Sequence, residues 1–225
     1  MRQAGAEGKP SLSDLKAVFE SIAATNAWGE PESVSGAGST LEYTHSLRHQ
    51  LARFVRMFDI RTLFDAPCGD FNWMKEVSFP SDTRYIGADI AESLIAANNR
   101  RHAGDRRRFL ALDLTREAFP EADLWFCRDC LFHLPFAMIG RALRNFCASR
   151  IEFVMMTNHI NVTGFHNRDI AAGDFRLLDF HLAPFHLPRE VLYRIPDYVH
   201  PFPQREMCVW SRAQVAEALD RAGVA

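Results

Sequence analysis

Apolar positions recur at two different spacings along the chain, and the change of spacing divides it. Leu12, Leu15, Phe19 and Ile22 fall three or four apart behind Ser11, Ser13 and Asp14, which can cap a helix. A helix is predicted to about Ala24. Leu47, Leu51, Phe54, Val55 and Phe58 make a second helical stripe. Ser39 and Glu42 have the spacing of a capping box ahead of it, and the helix should reach Met57 or Phe58. The Ser/Gly run at 33–38 between the two stripes reads as a flexible loop. Residues 1–10, Gly-rich and polar, are expected to fray.

From Ile60 the apolar runs become short and nearly continuous. They are Thr62–Asp65, Tyr85–Asp89, Arg108–Asp113, Leu124–Arg128 and Ile151–Met156. Strands covered on both faces look like this. Helical stretches at Glu92–His102 and Phe136–Cys147 lie between them, and strand–helix alternation predicts a mainly parallel sheet with helices on both faces. After Met156 the rhythm is lost in a segment rich in His, Pro, Phe and Asp. Phe175–Pro184 reads there as a strand, Glu206–Trp210 as another, and Ser211 as the cap of a last helix through Leu219. The expected organisation is a single α/β domain: an N-terminal helical cap (1–58), a ligand-binding core (59–160) and an elaborated C-terminal third (161–225) on the side where a second reactant binds.

Composition narrows the function classes. The chain has 225 residues, 48% hydrophobic and 24% charged, so it can bury a core without disulfide or metal staples. A net charge of −2 gives no general drive toward nucleic acid or anionic membrane. The run Arg100, Arg101, Arg106, Arg107 and Arg108 reads as a solvated helix end and turn. No stretch is apolar enough to span a membrane or serve as a secretory signal. Five scattered cysteines suit a reducing compartment, and a cytoplasmic location is expected.

The chemistry concentrates at strand ends. Asp65, Asp89 and Asp113 each close a strand candidate and lie 24 residues apart, the length of one βα unit. They should line one edge of the sheet, where open α/β sheets bind ligands. Each could singly be a helix cap, but three in register beside the small residues Ala66, Cys68 and Gly69 favour a ligand. Asp89 is placed for ribose hydroxyls and Asp113 for an adenine amino group. The first loop lacks G-x-G-x-x-G and carries Asp65 and Asp70, which would repel a pyrophosphate; a cationic adenosyl ligand would tolerate them. Cys127-Arg128-Asp129-Cys130 lacks the second pair zinc normally needs, and in an extended strand its sulfurs would diverge. No metal site is predicted, although His159, His166, His181 and His186 crowd one region.

The run Leu63-Phe64-Asp65-Ala66-Pro67-Cys68-Gly69-Asp70-Phe71-Asn72-Trp73-Met74 resembles motif I of the Rossmann-like (class I) S-adenosylmethionine-dependent methyltransferases, in a bacterial form with D-A-P-C-G-D-F-N-W. Tyr85–Ile90 is similar to the ribose-holding motif, Asp113-Leu114 to the adenine-contacting segment, and 123–134 to the fourth-strand motif beside the methyl donor. Residues 36–42 resemble an element that closes over the cofactor. Pro67 stands where the wider family has glycine. The resemblance implies S-adenosylmethionine as cofactor, held by Asp65, Ala66, Cys68, Gly69, Asp70, Trp73, Asp89, Ile90, Asp113, Leu114 and Arg128. Phe71 and Trp73 serve equally as core. It implies in-line methyl transfer, with a base wanted for a hydroxyl acceptor. His133, His159 and Asp129 are the candidates, with Asp179 and His181 behind them. The expected acceptor is a small molecule or glycan methylated at oxygen, with no nucleic acid or membrane partner. An RNA or protein methyltransferase, a catalytically silent cofactor-binding module and a nicotinamide dehydrogenase are the alternatives.

Overall fold

The computed structural model describes residues 14–222. The capping residues expected at 11–13, and Leu12, lie outside that range. Seven strands form one sheet: β1 (Thr62–Asp65), β2 (Arg84–Asp89), β3 (Arg107–Ala111), β4 (Leu124–Cys127), β5 (Phe153–His159), β6 (Tyr193–Pro196) and β7 (Arg205–Ser211). Their order is β3-β2-β1-β4-β5-β7-β6; the first five are parallel, β7 runs antiparallel to β5, and β6 runs antiparallel to β7.

Helices α1 (Asp14–Thr25), α2 (His45–Met57), α3 (Glu92–His102), α4 (Phe136–Ala148) and α5 (Arg212–Ala222) cover both faces. The alternation of side chains along the strands sorts the core in two. Phe64, Trp125, Val154, Met156 and Trp210 pack with α4 and α5; Leu63, Phe126, Met155 and Val209 pack with α2 and Ile95 of α3. This is the predicted doubly covered, mainly parallel architecture. Among the described residues no helix is long and apolar enough to cross a membrane.

Three local expectations change. The Ser39–Glu42 capping box does not form: Ser39 Oγ donates to Ser35 O, and Thr40 Oγ1 takes the Tyr43 N–H in a turn that delays α2 to His45. Phe175–Pro184 is not a strand. Leu178 and Phe180 are buried there, but side chains satisfy the backbone: Asn158 Oδ1 accepts from Phe180 N–H, and Asn167 Oδ1 from Asp179 N–H. β6 is a further strand that the expected elements do not include; Pro196 is tolerated in it because an edge strand pairs on one side only. At the last helix the cap is reciprocal: Gln214 N–H donates to Ser211 Oγ and Ser211 N–H to Gln214 Oε1.

Candidate active site

The carboxyl ends of β1, β2 and β4 and the segment after β3 open on one cleft, and Asp65, Asp89 and Asp113 all line it. It lies where strand order reverses between β1 and β4. The roof comes from elsewhere in sequence: Leu15, Phe19, Ile22 and Ala23 of α1, then Trp28, Val34, Ser35 and Ser39.

The loop after β1 folds tightly against β2. Cys68 N–H donates to Ala88 O at 2.7 Å, and Gly69 N–H donates to Asp89 Oδ2 at 3.0 Å. Gly69 has φ +55°, and a Cβ there would lie 2.2 Å from Ser35 Oγ, so roof and loop meet over a glycine. Asp89 Oδ1 also accepts from Ala91 N–H at 2.9 Å. Both oxygens keep acceptor capacity toward the cleft. Burial pushes its pKa up to about 6 against these backbone donors. Asp65 is only 3% exposed; it accepts from the Tyr85 hydroxyl at 2.5 Å and has no ion pair among the described residues. Burial, with Asp89 close by, raises its pKa to about 8. Asp113 lies two residues past β3, and its Oδ1 accepts from the Thr115 N–H and hydroxyl.

The other expected binding residues divide. Cys68, Gly69, Trp73, Ile90, Leu114 and Arg128 line the cleft. Asp70 does too, but its carboxylate is engaged by the Ser33 hydroxyl at 2.9 Å, Val34 N–H at 3.0 Å and Ser35 hydroxyl at 3.3 Å. It fastens the roof. Ala66 faces away: its N–H goes to Phe126 O, its carbonyl accepts from Trp125 Nε1 and its methyl sits in the core.

Of the three base candidates, His133 and Asp129 line the cleft and His159 does not. His133 Nδ1 is 2.8 Å from Asp174 O. A carbonyl can only accept, so Nδ1 carries the proton and Nε2 presents a lone pair. The ring stacks on Trp28, centroids 5.5 Å apart. Burial lowers its pKa against the pull of Asp174 O and Asp129. Asp129 follows β4 with φ +53°. Its carboxylate meets Arg205 Nη2 at 2.8 Å and Arg128 Nη1 at 3.4 Å. Burial would raise its pKa, but the two arginines prevail and hold it low, which makes it a weak base. His159 is 1% exposed; its Nδ1 accepts from Leu178 N–H, so Nε2 carries the proton, and burial takes its pKa to about 4.

Cys127 and Cys130 are free thiols near enough to act on one another, with the left-handed Asp129 between them. Burial drives the Cys127 thiol well up, away from reactivity. Among the described residues, His181, Glu206 and Cys208 place potential metal-ligand atoms within 4.8 Å of one another. Arg194 ion-pairs with Glu206 and donates to Cys208 Sγ, supplying the positive charge a metal would bring.

No protein-family model matches the chain, and no curated protein matches it in sequence. Solved structures do match. Magnesium protoporphyrin IX methyltransferase (ChlM) from Synechocystis PCC 6803 with bound SAM aligns over 91% of this chain and 99% of its own, at TM-score 0.62 and 9% identity. The N-methyltransferase NodS from Bradyrhizobium japonicum WM9, with S-adenosyl-L-homocysteine, aligns over 86% and 97%, at TM-score 0.59 and 12% identity. The 1,6-didemethyltoxoflavin-N1-methyltransferase of Burkholderia thailandensis aligns over 92% of each chain, at 0.59 and 15%. At these identities the likeness is one of fold: the Rossmann-like fold of class I methyltransferases.

Proposed function

We propose that this chain is an S-adenosylmethionine-dependent methyltransferase that acts on a hydroxyl oxygen of a small molecule or glycan. One observation carries the reading: Asp65, Asp89, Asp113 and the imidazole of His133 line a single cleft. The cleft suits this cofactor. Asp65 is a buried carboxyl with no cation on it, and a ligand bearing ammonium and sulfonium charge supplies one. Asp89 would take the ribose hydroxyls, Ile90, Asp113 and Leu114 the adenine, and Asp65 with the 67–70 loop the amino-acid tail. The shared fold with methyltransferases solved with SAM or S-adenosylhomocysteine supports the same assignment.

Bound there, the cofactor supplies an activated methyl group. The chain's own contribution is to bind, to exclude water under α1 and Trp28, and to hold His133 Nε2 unprotonated to accept the hydroxyl proton. His133 is the base in this reading because its tautomer is fixed and it faces the cleft; Asp129 is held by arginines. Calorimetric titration with S-adenosylmethionine, S-adenosylhomocysteine and NAD tests the reading. The adenosyl ligands should bind and NAD should not. Asp89→Ala should weaken S-adenosylhomocysteine binding about ten- to hundredfold, the loss of hydrogen bonds to a charged acceptor. NAD binding in preference to both would refute the assignment.

A further inference from the structure

The cleft that His133 lines is also lined by the apolar side chains of Phe19, Ile22, Ala23, Trp28 and Leu134. Trp28 stacks on the His133 ring yet remains 39% exposed. It lies against the backbone of Gly36, where an added Cβ would come within 3.4 Å of the Trp28 Cβ. Phe175, 51% exposed, also lies near the ring from outside the cleft lining, with its centroid 6.0 Å from that of His133. An exposed aromatic ring that lines the cleft thus stacks on the imidazole whose Nε2 offers an acceptor.

Three charged groups that line the cleft are already engaged. Asp129 is held by Arg205 and Thr157, Arg128 by Asp197, and Asp70 by the serines of the roof. A sugar would bring several hydroxyls to this wall and leave most of them without partners, at a desolvation cost. A flat ring with one hydroxyl would leave none.

Resting on the methyl-transfer reading, we infer that the acceptor is a phenol, its ring against Trp28 and its hydroxyl on His133 Nε2. Acidity points the same way. A phenolic hydroxyl ionises near pH 10, whereas an aliphatic hydroxyl lies close to water, about 15.7. A neutral imidazole is far better matched to the first. In the transfer the phenol oxygen forms a bond to the methyl carbon as the carbon–sulfur bond breaks. The bond's electron pair remains on sulfur, and the phenolic proton passes to His133 Nε2. A sulfonium and a phenol become a thioether, an aryl methyl ether and a proton.

The test pairs S-adenosylhomocysteine calorimetry with a methylation panel of naphthols and hydroxyflavones, aliphatic alcohols, oligosaccharides and aryl amines. Phenols alone should be methylated. Trp28→Ala should raise KM for the phenol about two- to tenfold with kcat little changed, and Trp28→Phe should restore it. His133→Gln should lower kcat about 10²- to 10⁴-fold while S-adenosylhomocysteine still binds. Binding of S-adenosylhomocysteine with no phenol methylated, or with sugars, alcohols or amines preferred, overturns the acceptor and leaves the cofactor reading intact. Failure to bind it overturns both.

Discussion

On the proposed reading a neutral imidazole is the working form of His133, and its surroundings favour that form. Burial is the largest influence, and Arg176 and Arg205 add to it; Asp129 and the Asp174 carbonyl pull the other way without prevailing. Its pKa therefore lies below the ordinary 6.5. A base with a lowered pKa is fully available above that value and is lost only as pH falls through it. With S-adenosylmethionine saturating, so that Asp65 is already ionised, kcat/KM for the acceptor should be flat above pH 6.5 with an acid limb below, and the limb should vanish in His133→Gln. A limb centred above 6.5 would contradict the assignment. Asp65 has the opposite sign. Its pKa rises from 3.8 unfolded to about 8 folded, so its contribution to stability is fully present in acid and is lost as pH climbs from about 4 to 8. Asp65→Asn should melt higher than the parent at pH 8 without ligand, with the difference closing near pH 4. A cationic ligand favours the ionised carboxyl, so S-adenosylmethionine binding at pH 7 should release a proton, seen as a buffer-dependent calorimetric enthalpy. That release should be absent in Asp65→Asn.

Between elements, the ends of β4 and β7 are locked by buried charges rather than by the ladder alone. Arg128, just past β4, makes a two-pronged contact with Asp197 at 2.8 and 3.1 Å, and Arg205, opening β7, reaches Asp129. Tyr43 packs on both guanidinium groups, and a Cβ at Gly38 would lie 2.8 Å from Asp129 Oδ2. Removing Asp197 leaves the two buried guanidinium groups with Asp129 alone between them, so Asp197→Ala should cost about 3–5 kcal/mol in urea unfolding. A loss below about 1 kcal/mol would mean the pair is solvated in solution. Little of this lock was legible beforehand, because Asp197 and Arg205 fall in the segment without periodicity. Strands whose side chains face two packed layers were legible: β1, β2 and β4 lie within a residue of their predicted limits, as does the surface helix α3. The motif loop and its carboxylates followed from the same strands. The run 175–184 misled because apolar burial there comes without a neighbouring strand. The apolar stripe of α1 was visible, but a stripe does not say what it covers, and here it roofs the cleft.

At the scale of the molecule the cleft has a floor and a roof of different stability. The floor is the centre of the sheet. Its strands are bonded on both sides and covered on both faces, so its amides exchange only with extensive unfolding. The roof spans the cleft on side-chain contacts. Lys16 meets Glu92, Glu20 accepts from Ser93, Val18 lies against Gly173, and the serines at 33 and 35 hang on Asp70. The first two contacts are exposed pairs worth little in water. A ligand spanning from Asp89 to Trp28 would touch floor and roof together and tie down the weaker layer. Hydrogen exchange with S-adenosylhomocysteine should therefore slow α1 and residues 33–40 by about tenfold or more and leave β1, β4 and β5 unchanged. Asp70→Ala provides the control. It removes the tether without touching α1, so 33–36 should exchange quickly with or without ligand while α1 keeps its protection. Equal protection of roof and floor in the parent would mean that the two layers open as one unit and that α1 does not gate the cleft.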